Sequence, residues 1–243
     1  MELLDIKFGR EGYPKHVEYT ESDDPKFWKK HWTNKNQYNS EYYKKETSRK
    51  DISYTLNSQG YREKEWNQLD WNNSYIFLGC SHTVGIGVCI DETIPKLMEK
   101  YLDSYCINLG IPGGNNAFSM FNSSELIKNK IRPKAVFFQR TYVSRWFDYN
   151  GELIPLTVSD KAYKKFYISD EYINYLDDNI SKTIASQWSN ICPIIEYNVD
   201  NIVDNSGHPK YISRDGTHYN GYYFQRAVEK LYDKYTSNIK ELR

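Results

Sequence analysis

With 243 residues, the chain is too long for a miniprotein held by disulfides and fits one large domain, or one domain with an appendage. Its 32 Lys and Arg balance 32 Asp and Glu, so no global field draws it to nucleic acid or to an anionic membrane surface. An aromatic share of 16%, with 23 Tyr, excludes a disordered chain despite a mean hydropathy of −0.79, because tyrosine buries a large ring while keeping a polar tip.

The start, Met1-Glu2-Leu3-Leu4-Asp5-Ile6-Lys7, lacks an apolar stretch after a basic end, so no signal peptide is expected and a cytoplasmic location is. No run of about 18 apolar residues would cross a bilayer. Cys80, Cys89, Cys106 and Cys192 form no Cys-x-x-Cys pair, and three of them sit in or beside apolar segments. They are expected to be reduced, free and mostly buried. No histidine pair has metal-site spacing, so neither a metal nor a cofactor is expected.

Residues 1–70 are dense in charge and aromatics (Phe27, Trp28, Trp32, Tyr38, Tyr42, Tyr43) and poor in aliphatics. They read as an extension whose rings, with Trp28, Trp32 and Tyr38 on a helical stripe, pack onto the main domain at 71–243. An aromatic platform for sugars or bases is the alternative. Residues 57–62 carry turn chemistry. Then the pattern changes. A short apolar run at 75–78 ending in glycine predicts a buried strand, and 92–102 a helix with Pro95 in its first turn. A second strand at 105–109 again ends in glycine. A helix follows at 115–130, stopped by Pro133, and a third strand at 135–138. Residues 148–165 read as an excursion, with Asn150-Gly151 a turn and Pro155 a breaker. A helix at 170–188, a strand at 191–196 and an amphipathic helix at 221–242 complete the chain. Alternating strands and helices predict a parallel sheet of four or five strands covered on both faces.

In such folds the ligand sits outside the carboxyl ends of the strands. Ser81 follows the first strand in the turn Gly79-Cys80-Ser81-His82-Thr83-Val84-Gly85. Its hydroxyl needs a base to become a nucleophile. His218 is the natural base, and Asp215, three residues earlier, would hold its Nδ1–H. His208 is the runner-up but lacks such a carboxylate. Glycines 79, 110, 113 and 114 let backbone N–H groups approach a ligand, as an oxyanion hole requires. Arg145, beyond the third strand, reads either as a surface ion-pair partner or as a clamp for a carboxylate or sulfate. His82 reads as a packed imidazole or a substrate contact.

These segments resemble the blocks of the SGNH (GDSL-type) hydrolases, a superfamily of esterases, lipases and carbohydrate deacetylases, over roughly residues 57–240. Gly79-Cys80-Ser81-His82-Thr83-Val84-Gly85 resembles the first block, Asn108-Leu109-Gly110-Ile111-Pro112-Gly113 the second, and Asp215-Gly216-Thr217-His218 the fifth. The string 76–88 is similar to a branch common in tailed phages and environmental bacteria, in which case a virion-associated location is the alternative. The resemblance implies a three-layer α/β/α flavodoxin-like fold. It also implies Ser81, Asp215 and His218 as catalytic residues and the N–H groups of Ser81 and Gly113 in the oxyanion hole. The implied substrate is a small-molecule or glycan ester.

Two departures stand out. Cys80 replaces the first block's aspartate. The third strand ends Gln139-Arg140-Thr141, where the family carries the asparagine that completes the oxyanion hole. Asn116, Asn115 and Thr141 are the available substitutes. The expectation is that Asn116 aims its amide beside Ser81 Oγ while Asn115 caps the helix. The missing asparagine also keeps open a catalytically impaired protein that binds a carbohydrate or a partner. A phosphate cradle at 79–87 is disfavoured, because no Walker lysine follows and the glycine spacing is not G-x-G-x-x-G.

Overall fold

The computed structural model describes residues 3, 15–19, 23–34, 40–141, 146–149, 153–156, 170–204 and 207–241. In chain order the strands are β1 (Lys15–Val17), β2 (Tyr54–Leu56), β3 (Tyr75–Gly79), β4 (Cys106–Gly110), β5 (Ala135–Arg140), β6 (Trp146–Tyr149), β7 (Leu153–Leu156) and β8 (Ile194–Asn198). The helices are α1 (Pro25–Asn34), α2 (Glu41–Thr47), α3 (Ser81–Val84), α4 (Ile94–Leu102), α5 (Asn116–Lys128), α6 (Asp170–Trp188) and α7 (Gly221–Glu241).

Four strands form one parallel sheet in the order β4-β3-β5-β8. Alternate side chains of a strand leave opposite faces, so the apolar runs of β3 and β5 serve two cores at once. Phe77, Ala135 and Phe137 face α4 and α7, where Ile94, Met98, Phe224 and Val228 are buried with them. Ile76, Leu78, Val136 and Phe138 face α5 and α6, against Phe118, Leu126, Ile184 and Trp188. The result is the expected three-layer α/β/α arrangement. The Phe77 and Phe137 rings stack with centroids 4.6 Å apart, and neither is exposed. Phe137→Ala should therefore cost ~3–5 kcal/mol, read from the urea midpoint. A loss below ~1 kcal/mol would contradict this packing.

Several boundaries differ from the sequence reading for local reasons. The last core strand starts at Ile194 rather than 191, because the Ile191 and Cys192 N–H groups still bond back to the Trp188 carbonyl, at 2.8 and 3.1 Å. Helix α4 starts at Ile94 because Thr93 caps it, its hydroxyl accepting the Lys96 N–H. Helix α5 ends at Lys128, two residues early. Pro155, expected as a breaker, sits within β7 opposite Phe147 in an antiparallel pair; a strand with no second partner among the described residues tolerates a missing N–H.

The aromatic N-terminal segment is not a loose appendage. Trp32 is fully buried in the same cluster as Phe224 and Val228, and Trp28 is buried as well. Tyr38 lies outside the described residues. Strands β1 and β2 pair antiparallel, and Ile52, Tyr54 and Leu56 pack on Val84 and Ile86, just past the first core strand. None of the four cysteines is in a disulfide; Cys80 and Cys106 are buried, the other two half-buried. No helix among the described residues is long and apolar enough to cross a membrane.

Candidate active site

A parallel sheet carries all its strand ends to one edge, and there four turns meet. Ser81 opens the short helix α3 directly after β3, following Cys80 in extended backbone. The turn 213–218 precedes α7 and brings His218 across. His218 Nε2 lies 2.8 Å from Ser81 Oγ, and His218 Nδ1 lies 2.6 Å from Asp215 Oδ2. All three residues are buried. Asp215 Oδ1 accepts three further bonds, from Ser213 Oγ at 2.7 Å and from the Thr217 and His218 N–H groups, both at 2.9 Å. A carboxylate so held can only accept, so Nδ1–H donates to it. That leaves the Nε2 lone pair for the serine hydroxyl. Burial alone would raise the Asp215 pKa. The charge of the adjacent His218 outweighs it, together with hydrogen bonds from its ring and from the His218 and Thr217 N–H groups. The carboxyl is held far below the usual carboxylate range.

Gly113 has φ +65°, and a Cβ there would meet nothing within 4 Å, so this turn is left-handed and open. Among the described residues, neither the Gly113 nor the Ser81 backbone N–H has a partner. The loop is tied to the serine turn by the Ile111 N–H, which donates to the Gly79 carbonyl at 2.9 Å. Asn108 adds a second tie that the sequence reading overlooked. Its Nδ2 donates to the Thr83 carbonyl at 2.9 Å, and its Oδ1 accepts the Gly110 N–H at 3.0 Å.

Asn115 caps α5, its Oδ1 accepting the Phe118 N–H at 3.1 Å. Asn116 does not point its amide beside Ser81. Its Oδ1 accepts the Thr141 N–H at 2.9 Å, and its Nδ2 donates to the Asp177 carboxylate. A buried carboxylate is a stronger acceptor than any neutral group, so it captures the amide; Asp177 is buried on α6 and also takes Arg140 Nε at 2.9 Å. The Thr141 hydroxyl donates to the Gly114 carbonyl at 3.3 Å. His82 is buried, its ring 4.9 Å from that of His218 and 5.1 Å from that of Tyr219. Arg145 lies outside the described residues.

Gln139 was missed at the sequence level and is central here. It is buried at the end of β5 and spans to the serine turn. Its Nε2 donates to Cys80 Sγ at 3.2 Å, while its Oε1 accepts the Thr83 hydroxyl at 2.5 Å and the Cys80 N–H at 3.4 Å. The turn that carries Ser81 is thus tied to the neighbouring strand through Cys80 and Thr83. The available signal was a polar residue two places beyond Phe137 on the same strand face. Gln139→Met, which keeps the volume and removes both ends, should cost about 1–3 kcal/mol, read from the urea midpoint, because the Thr83 hydroxyl and Cys80 N–H lose a buried acceptor. A loss below about 0.5 kcal/mol would contradict these bonds. Among the described residues no group of three or more His, Cys, Asp or Glu side chains is placed to hold a metal ion.

No protein-family model and no curated protein matches this chain. Similar solved structures include a Desulfitobacterium hafniense protein described as lipolytic, of the G-D-S-L family. It is 11% identical, with a TM-score of 0.45, over 67% of this chain and 99% of that one. A family two carbohydrate esterase from Clostridium thermocellum is 11% identical, TM-score 0.41, over 70% of this chain and 65% of that one. A lipase/acylhydrolase from Enterococcus faecalis is 12% identical, TM-score 0.36, over 68% and 96%.

Proposed function

We propose that the chain is a serine hydrolase of carboxylic esters that removes an acyl group, such as acetyl, from a glycan. The observation that carries the hydrolase reading is the bonded relay from Ser81 through His218 to Asp215, at 2.8 and 2.6 Å. The glycan alcohol rests on the resemblance of the sequence blocks to a superfamily that includes carbohydrate deacetylases.

In this reading Ser81 Oγ attacks the ester carbonyl as His218 Nε2 takes its proton. The carbonyl oxygen becomes an oxyanion, held by the N–H groups of Ser81 and Gly113. Asp215 stabilises the imidazolium through Nδ1–H without taking the proton. Collapse of the tetrahedral species breaks the bond to the alkoxide, which leaves with the proton from Nε2. Water then attacks the acyl-serine, His218 accepts its proton, and the carboxylic acid departs as Ser81 recovers its hydrogen. Neither a metal nor a cofactor has a role in these steps. With Asn116 held by Asp177, the oxyanion rests on two backbone donors. Losing the third typically costs about 10²–10³ in rate, so a modest kcat is expected.

The test is release of p-nitrophenol from p-nitrophenyl acetate, and of acetate from an acetylated oligosaccharide, by the wild type and by Ser81→Ala. Ser81-dependent release from both supports the proposal. Release from the first alone keeps the hydrolase and discards the glycan. Release from neither leaves a protein that binds without turnover.

A further inference from the structure

The N-terminal segment grips the turn that carries Asp215 and His218. Arg214, directly before Asp215, is 1% exposed, and Asp23 is fully buried. They form a two-pronged pair: Arg214 Nε donates to Asp23 Oδ1 at 2.8 Å, and a terminal nitrogen to Oδ2 at 2.6 Å. The same guanidinium donates to the Glu18 and Arg49 carbonyls, at 2.9 and 3.2 Å. The backbone of the turn is held as well. Trp32 Nε1 donates to the Arg214 carbonyl at 3.0 Å, and His31 Nδ1 donates to the Asp215 carbonyl at 2.9 Å. Gly216 has φ +71°, and a Cβ there would come within 2.8 Å of Trp32 Cδ1 and 3.0 Å of His31 Cβ, so α1 lies directly on the turn.

Asp23 also reaches the other half of the relay. It accepts the Tyr54 hydroxyl at 2.5 Å, and Tyr54 in turn accepts the Gly87 N–H at 2.8 Å, on the turn that follows the serine helix. One buried carboxylate therefore connects the loop behind Ser81 with the loop bearing its base.

We infer that residues 23–32 clamp the relay, with Asp23, His31 and Trp32 as positioning residues for Asp215 and His218. The kinetic part of this inference rests on the hydrolase reading; the geometric part does not. A serine and a base displaced by an ångström lose about 10²-fold in rate, so loosening the clamp should appear in kcat rather than in KM.

The experiment compares His31→Ala, His31→Gln and Asp23→Asn with the wild type and with Lys30→Ala, an exposed residue of the same helix. Two readouts are taken on samples whose thermal transition shows them folded. The first is kcat and KM on p-nitrophenyl acetate. The second is the far-downfield proton NMR signal of His218 Nδ1–H against Asp215, which needs no turnover. The expected result is a fall in kcat of about 10- to 10²-fold for His31→Ala and Asp23→Asn, with KM within about twofold. The downfield proton should broaden or vanish in both. His31→Gln, which keeps an N–H donor, should recover most of the loss, and Lys30→Ala should match the wild type. If Asp23→Asn does not fold, the His31 pair decides. Wild-type kcat and an intact downfield proton in folded His31→Ala overturn the clamp. If the wild type hydrolyses nothing, the functional reading has failed on its own and the proton signal alone decides the clamp.

Discussion

On the proposed hydrolase reading, Ser81→Ala should lower ester turnover by about 10⁶-fold while leaving the fold in place. Among the described residues the hydroxyl bonds to His218 Nε2 at 2.8 Å and, weakly, to Cys80 Sγ at 4.0 Å. Removing it deletes the attacking atom, and His218 and Asp215 cannot compensate because neither can form the acyl intermediate. The stability change should stay near 1 kcal/mol, the usual worth of one hydrogen bond. Turnover and the thermal midpoint measured on the same sample separate these effects. Activity within tenfold of wild type in a folded variant would mean that Ser81 is not the nucleophile.

Asp215→Asn should cost about 10⁴-fold, through a tautomer rather than through lost packing. Oδ1 receives three donors, from Ser213, Thr217 and His218. In the variant that position must be the amide oxygen, so the amide N–H₂ faces His218 Nδ1. The imidazole then accepts at Nδ1 and carries its proton on Nε2, where it cannot take the proton of Ser81. The wild-type pH profile follows from the same contacts. Asp215 stays ionised throughout the ordinary acid range because its carboxyl is held far below its usual value. The acid limb of kcat/KM should therefore report a single group, His218, with activity lost as pH falls and the ring takes a proton. A slope of two protons in the log–log profile would contradict this. The sign for stability is the ordinary one for a depressed carboxyl. The contribution of Asp215 is complete above its unfolded pKa of about 3.9 and is lost as pH falls below that value toward the folded pKa. Asp215→Asn should flatten that acid arm.

The strands at 75–78 and 135–138 were legible because a parallel strand buried on both faces needs an unbroken apolar run, and the strand at 105–109 because its apolar residues end in glycine despite Asn108. Ser81, Asp215 and His218 were legible for a similar reason. A serine in a glycine-flanked turn at a strand end, and a carboxylate three residues before a histidine, are local patterns, and of the two contacts only that of Asp215 with His218 is local; Ser81 meets His218, 137 positions on, across the sheet edge. Asn115 as a helix cap belongs with them, since its partner is the N–H of Phe118. What the local pattern could not decide was which buried polar group meets which. Gln139 reaches Cys80 and Thr83 only because β5 lies beside β3 in the sheet order. Asn116 turns away from Ser81 because the packing of α6 on α5 buries the Asp177 carboxylate within its reach. The Asp23–Arg214 pair joins residues 191 positions apart. Burial period and capping are properties of a single segment and can be read from it. A buried polar group must find a partner wherever the packing of distant elements leaves one, and that choice is made only when the sheet order and helix layers are in place.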